Sequence, residues 1–156
     1  MNLETVTLVN LPPLRVAAAH AFGVEPESTA MERLLGWAGE QNLWPAARPR
    51  RFSGFNSPNP SPDSPEYGYE FWMALHESDN PVFTDEVRLK HFPGGQFAVV
   101  RCHGVENLRS SWQGLVNWAE TNHRPLADNL LLEEFIIWEN VSPDRFVFDL
   151  YLPLKG

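Results

Sequence analysis

The pattern of apolar and polar positions predicts short strands over Thr5–Val9, Leu14–His20, Tyr67–His76, Glu86–Phe92, Gln96–Cys102 and Phe146–Leu152; Glu86–Phe92 and Gln96–Cys102 alternate, and Tyr67–His76 is dense in aromatics. Breakers separate them: Pro12-Pro13, Gly23, Pro93-Gly94-Gly95, Gly104 and Ser142-Pro143-Asp144. Two stretches carry a helical period instead. Met31, Leu34, Leu35 and Ala38 predict a helix from Ser28 to Gln41. Leu108, Trp112, Leu115, Val116 and Ala119 predict a second helix that Asn107 caps and that runs to Thr121. From Trp44 to Glu66 no period is visible, and six prolines (45, 49, 58, 60, 62 and 65) predict a long irregular loop. Phe52 and Phe55 need cover, so the part around Arg51–Asn56 is expected to lie against the body of the domain.

The stretch Leu130–Trp138 is apolar and rich in β-branched and aromatic residues, and it predicts a central strand. Glu133 and Glu134 stand in its middle. Successive side chains in a strand point to opposite faces, so one carboxylate lies on each face whatever the register. If one face packs on helices and the other lines a groove, one glutamate belongs to the groove. A carboxylate taken out of water is costly unless it is paired, hydrogen-bonded or protonated. The alternative is a short edge strand with one glutamate in water and the other at a strand end.

The two halves of the chain resemble each other. Residues 15–38 align without a gap on 96–119, bringing Val24-Glu25 onto Val105-Glu106 and Trp37-Ala38 onto Trp118-Ala119. Further on, Tyr69-Glu70-Phe71 aligns with Glu133-Glu134-Phe135. Repeat halves of about 1–78 and 82–156 imply two similar units about a pseudo-twofold axis, within one domain spanning 1–156. The expected fold is α+β: an antiparallel sheet with two helices on one face and a ligand groove at the axis.

Charge and composition narrow the partners. Twelve Lys and Arg against twenty Asp and Glu give a formal charge of −8, which argues against direct nucleic-acid binding and suits neutral or cationic ligands. A single cysteine, Cys102, allows no internal disulfide and points to a reducing cytoplasm. No stretch reaches membrane-spanning length, and no signal sequence is visible. The five histidines lack metal-ligand spacing, and no phosphate loop or nucleophile elbow occurs, so neither a metal nor a cofactor is expected.

Several segments, in the same order, resemble one family: Gly54-Phe55-Asn56, Tyr67-Gly68-Tyr69-Glu70-Phe71-Trp72, Phe92-Pro93-Gly94-Gly95-Gln96-Phe97-Ala98-Val99, Leu132-Glu133-Glu134 and Asp149-Leu150-Tyr151-Leu152-Pro153-Leu154. The family is that of GyrI-like small-molecule-binding domains, which also serve as effector-binding domains of bacterial multidrug-responsive transcription regulators. The resemblance covers essentially the whole chain. It implies paired strand–helix–strand–strand units and a central groove that takes amphipathic, often cationic aromatic compounds on a buried glutamate. That glutamate matches Glu133, with Glu134 as the fallback. Many members carry tyrosine where this chain has Phe135, which places any tyrosine chemistry at that position in doubt. The regulators carry an N-terminal DNA-reading domain; this chain is expected to start at its first strand.

The candidate ligand-binding set is therefore Glu133, Tyr69, Phe71, Phe135, Met73, Ile137, Trp112 and Phe55, with Glu134, Glu70, Trp72 and Trp138 as the opposite-face alternative. Three functions stay open. The first is binding of hydrophobic or cationic aromatic molecules. The second, implied by hydrolase members of the family, is opening of strained rings in reactive aromatic compounds, with Glu133 and Tyr69 catalytic. The third is a protein-interaction role restraining DNA gyrase. The oligomeric state is left undetermined.

Overall fold

The computed structural model describes residues 5–46 and 48–156, so the start of the first repeat half and one position of the proline-rich stretch lie outside it. The chain divides into two compact units. One holds residues 14–92 and the other holds residues up to 13 together with 93–156. Each consists of four antiparallel strands and one helix, as the expected α+β class requires.

The 14–92 unit contains β2 (Leu14–Gly23), α1 (Pro26–Glu40), β3 (Phe52–Asn56), β4 (Tyr67–Ala74) and β5 (Val87–Phe92), with strands in the order β5-β2-β4-β3. Pro26 opens α1, where its missing N–H costs no helical bond. Ala30, Leu34, Trp37 and Ala38 form the buried stripe of α1. The other unit contains β1 (Thr7–Leu11), β6 (Gly95–His103), α2 (Leu108–Thr121), β7 (Leu132–Ile137) and β8 (Val147–Leu154), in the order β1-β6-β8-β7. A 3-10 turn over Val105–Asn107 leads into α2. Gly94, with φ 78°, sits in the turn before β6, where a Cβ would overlap the carbonyl oxygen of Leu11.

The proline-rich stretch is not wholly irregular. Phe52–Asn56 is β3, paired with β4 through Phe52 opposite Met73 and Asn56 opposite Tyr69. Five residues containing a glycine carry too short an alternation to read locally; the waiting edge of β4 makes them a strand. The alignment of Tyr69–Phe71 with Glu133–Phe135 is also corrected. Trp72 of β4 lies opposite Ala18 of β2, and Tyr151 of β8 lies opposite Val99 of β6. Ala18 and Val99 occupy matching places in the gapless alignment, so Tyr151, not a residue of β7, is the counterpart of Trp72. The strand ahead of each central strand behaves alike: β1 pairs with β6, and β5 pairs with β2. The first strand of each sequence half thus pairs with the second strand of the other half.

Candidate functional site

In the 14–92 unit, strand alternation assigns the faces. Tyr67, Tyr69, Phe71 and Met73 share one side of β4. Tyr67 donates its hydroxyl to Glu27 of α1 at 2.7 and 2.8 Å, so this is the side that α1 covers. Phe71 and Met73 are fully buried there, beside Ala17 and Ala19. Phe52 stacks on Phe71 at 5.6 Å, and the Tyr69 ring lies over Gly54.

Glu70 and Trp72 point to the side away from α1. Trp72 packs edge-on against Phe55 at 5.2 Å and tilted against Phe92 at 5.5 Å. Its indole N–H donates to Glu70 Oε2 at 2.7 Å. Lys90 of β5 donates to both Glu70 oxygens, at 2.9 and 2.7 Å. Glu70 is only 6% exposed. It borders a hollow of about 510 Å³ that Ala18, His20, Arg33, Asp85, Glu86, Arg88 and Lys90 complete. That volume is within the range of small-molecule sites.

The other unit repeats the division. Trp112 of α2 donates to Glu133 Oε2 at 3.4 Å, which puts Glu133 on the helix side. Phe135 belongs there too, within a cluster of Phe148, Phe146 and Trp138 rings. Glu134 points the other way and is 7% exposed. Tyr151 donates its hydroxyl to Glu134 Oε1 at 2.7 Å. On the same side, Arg101 pairs with Asp149 at 2.8 Å.

The loop into β5 is pinned by a buried ion pair. Asp79 accepts from both terminal nitrogens of Arg50, at 2.5 and 3.0 Å, and from the His76 backbone N–H at 2.7 Å. Arg15 donates to the Asp79 carbonyl at 2.6 Å. The bonds from Arg50, opposed by burial and aided by the His76 N–H, hold the Asp79 carboxyl down at about 2.

The structure therefore divides the candidate residues differently from the preferred set. Tyr69, Phe71 and Met73, and likewise Glu133, Phe135 and Trp112, lie on the helix sides of their units. The physical reason is that both helices cover the face whose strand residues are the more completely apolar, and sequence alternation leaves open which face that is. Ile137 is half exposed beyond a register shift between Phe135 and Ile137. Phe55 lies with Glu70 and Trp72. Of the alternative set, Glu70, Trp72 and Glu134 share the helix-free sides. Trp138 does not join them: its ring packs on Phe135. Lys90 and Tyr151 were missed. Tyr151 lies in the family-like segment Asp149–Leu154, but nothing local marks either residue as a partner of a buried carboxylate.

Comparison with known proteins adds the following. The profile of the family described as integron-associated effector binding protein matches residues 7–154. No curated protein matches the sequence. The C-terminal domain of EcmrR has a TM-score of 0.71 at 17% identity, covering 97% of each chain. A hydrolase from Listeria innocua has a TM-score of 0.69 at 12% identity, covering 96% of this chain and 91% of that one. SAV2435, solved bound to tetraphenylphosphonium, has a TM-score of 0.56 at 10% identity, covering 98% and 95%. Identities this low make the likeness one of fold.

Proposed function

We propose, on the premise that the chain belongs to the family of integron-associated effector-binding proteins, that it binds amphipathic cationic aromatic molecules through Glu70 and Glu134. The chain has the fold of a GyrI-like effector-binding domain. One observation carries the finer reading. Apart from the Arg50–Asp79 ion pair, the buried charged side chains among the described residues are two glutamates, one in each unit, each on the helix-free side and each bonded by an aromatic donor. A shielded carboxylate held among aromatic rings attracts a cation with an apolar body more strongly than it attracts a hydrated inorganic ion. The net charge of −8 favours approach of cations. The fold-related SAV2435 was solved with such a cation. We also read the chain as a duplication within one domain, with sequence halves of about 1–78 and 82–156 whose first strands are exchanged between the two compact units.

Titration with tetraphenylphosphonium, followed by the fluorescence of the six tryptophans, tests the reading. Glu134→Gln and Glu70→Gln should each weaken binding about 10- to 100-fold, the loss of a charged hydrogen-bonding partner. Undiminished binding in both variants would overturn it. A second reading, hydrolysis, draws on the Tyr151–Glu134 pair, which could orient water toward a strained ring. Ring-opened product from an aromatic epoxide, lost in Glu134→Gln, would establish it.

A further inference from the structure

The Glu70 carboxylate already holds a cation. Lys90 reaches it across β2 from strand β5: Lys90 lies opposite Val16 of β2, and β2 separates β5 from β4. Both carboxylate oxygens accept from the Lys90 ammonium, and Oε2 also accepts from Trp72. The partners differ sharply in environment. The Glu70 side chain is 8% exposed, whereas that of Lys90 is 47% exposed. Glu70 is therefore fixed in the floor, and the lysine enters along its aliphatic stem from the solvent side.

We propose that Lys90 is a displaceable internal counter-ion that sets the cation affinity of the Glu70 hollow. The inference rests on the reading of Glu70 as a ligand-binding carboxylate. An incoming cation and the Lys90 ammonium compete for one position. The lysine is tethered, so its effective concentration beside Glu70 is high, and a simple ion at ordinary concentration loses to it. When Lys90 does leave, its ammonium returns to water and Glu70 keeps a cationic partner, so no buried charge is stranded. The exchange is close to even in electrostatic terms. The balance then falls to what the ligand buries besides its charge, which selects organic cations with a sizeable apolar body over inorganic and small alkylammonium ions. The hollow, about 510 Å³, has room for such a body; Ala18 is the apolar residue of its lining, and Arg33, Arg88, Asp85 and Glu86 are its other charged groups.

The test measures tetraphenylphosphonium and tetraethylammonium binding, by tryptophan fluorescence, to the parent and to Lys90→Met, Lys90→Arg, Glu70→Gln and the Glu70→Gln/Lys90→Met double variant. Circular dichroism reports whether each is folded. Lys90→Met should tighten tetraphenylphosphonium about two- to fivefold and make tetraethylammonium binding measurable, the gain from removing one competing surface-accessible charge. Lys90→Arg keeps the cation and should stay at the parent's affinity. The double variant should lose the whole gain while remaining folded, because it leaves no unpaired charge. Binding that Glu70→Gln weakens but Lys90→Met leaves unchanged would overturn the role of Lys90 alone. Absence of binding to every variant would overturn the functional reading and this proposal with it.

Discussion

Asp79→Asn is expected to destabilise the protein in a way that depends on pH. Asp79 and Arg50 are both nearly buried, with side chains 9% and 7% exposed, and they meet through two hydrogen bonds. The Asp79 carboxyl lies at about 2, against an ordinary value of 3.8. A depressed acid stabilises the fold above its unfolded value and loses that contribution as pH falls from about 4 through 2. The full shift corresponds to roughly 2.4 kcal/mol, and screening at the rim leaves about 1–2 kcal/mol. Asparagine also strands the Arg50 guanidinium, whose Nε already lacks a partner, though its own oxygen keeps one acceptor. The total loss at pH 7 should be about 3 kcal/mol, near the lower end for breaking a buried pair. For a chain of this size that lowers the melting temperature by roughly 6–12 °C. Urea unfolding followed by tryptophan fluorescence, repeated between pH 7 and pH 2, measures it. The gap between parent and variant should narrow by about 1–2 kcal/mol across pH 4 to 2. A gap that stays constant with pH, or one below about 1 kcal/mol at pH 7, would refute the account. The pair anchors the loop leading to Lys90, so the variant should also loosen the Glu70 hollow.

Gly54→Ala should cost about 1–3 kcal/mol in thermal or urea unfolding, because the added Cβ would overlap the buried Tyr69 ring. Glu133→Gln should change tetraphenylphosphonium affinity less than twofold beside the large loss in Glu134→Gln, since Glu133 bonds the α2 tryptophan on the helix side. The reverse ranking would restore Glu133 as the recognition carboxylate. Tyr151→Phe should lower stability at pH 7 by about 1.5–3 kcal/mol through loss of a buried hydroxyl donor to a carboxylate, read from urea unfolding; an unchanged midpoint would show that water replaces it.

Periodicity alone located α1 and α2 to within two residues at each end, because each helix carries its buried stripe in consecutive turns. Runs of apolar, β-branched and aromatic residues between glycine and proline breakers located β4 and β6, whose apolar residues fill both faces. Strand alternation also required that Glu133 and Glu134 diverge, since a strand cannot put neighbours on one side. The gapless alignment of 15–38 with 96–119 made the likeness of β2-α1 to β6-α2 legible without coordinates. Three things needed the tertiary structure. Phe52–Asn56 became a strand only because β4 offered an edge to pair with. Which glutamate faces away from the helix depended on where α2 docks, and the contact of Trp112 with Glu133 decides it. The partners of Glu70 and Glu134 also came from outside their own segments: Lys90 is 20 residues from Glu70 and Tyr151 is 17 from Glu134. A strand's sequence fixes which residues share a face. Which face is covered, and which distant side chain meets a buried charge, is settled by packing between elements, and that information is spread over the whole chain.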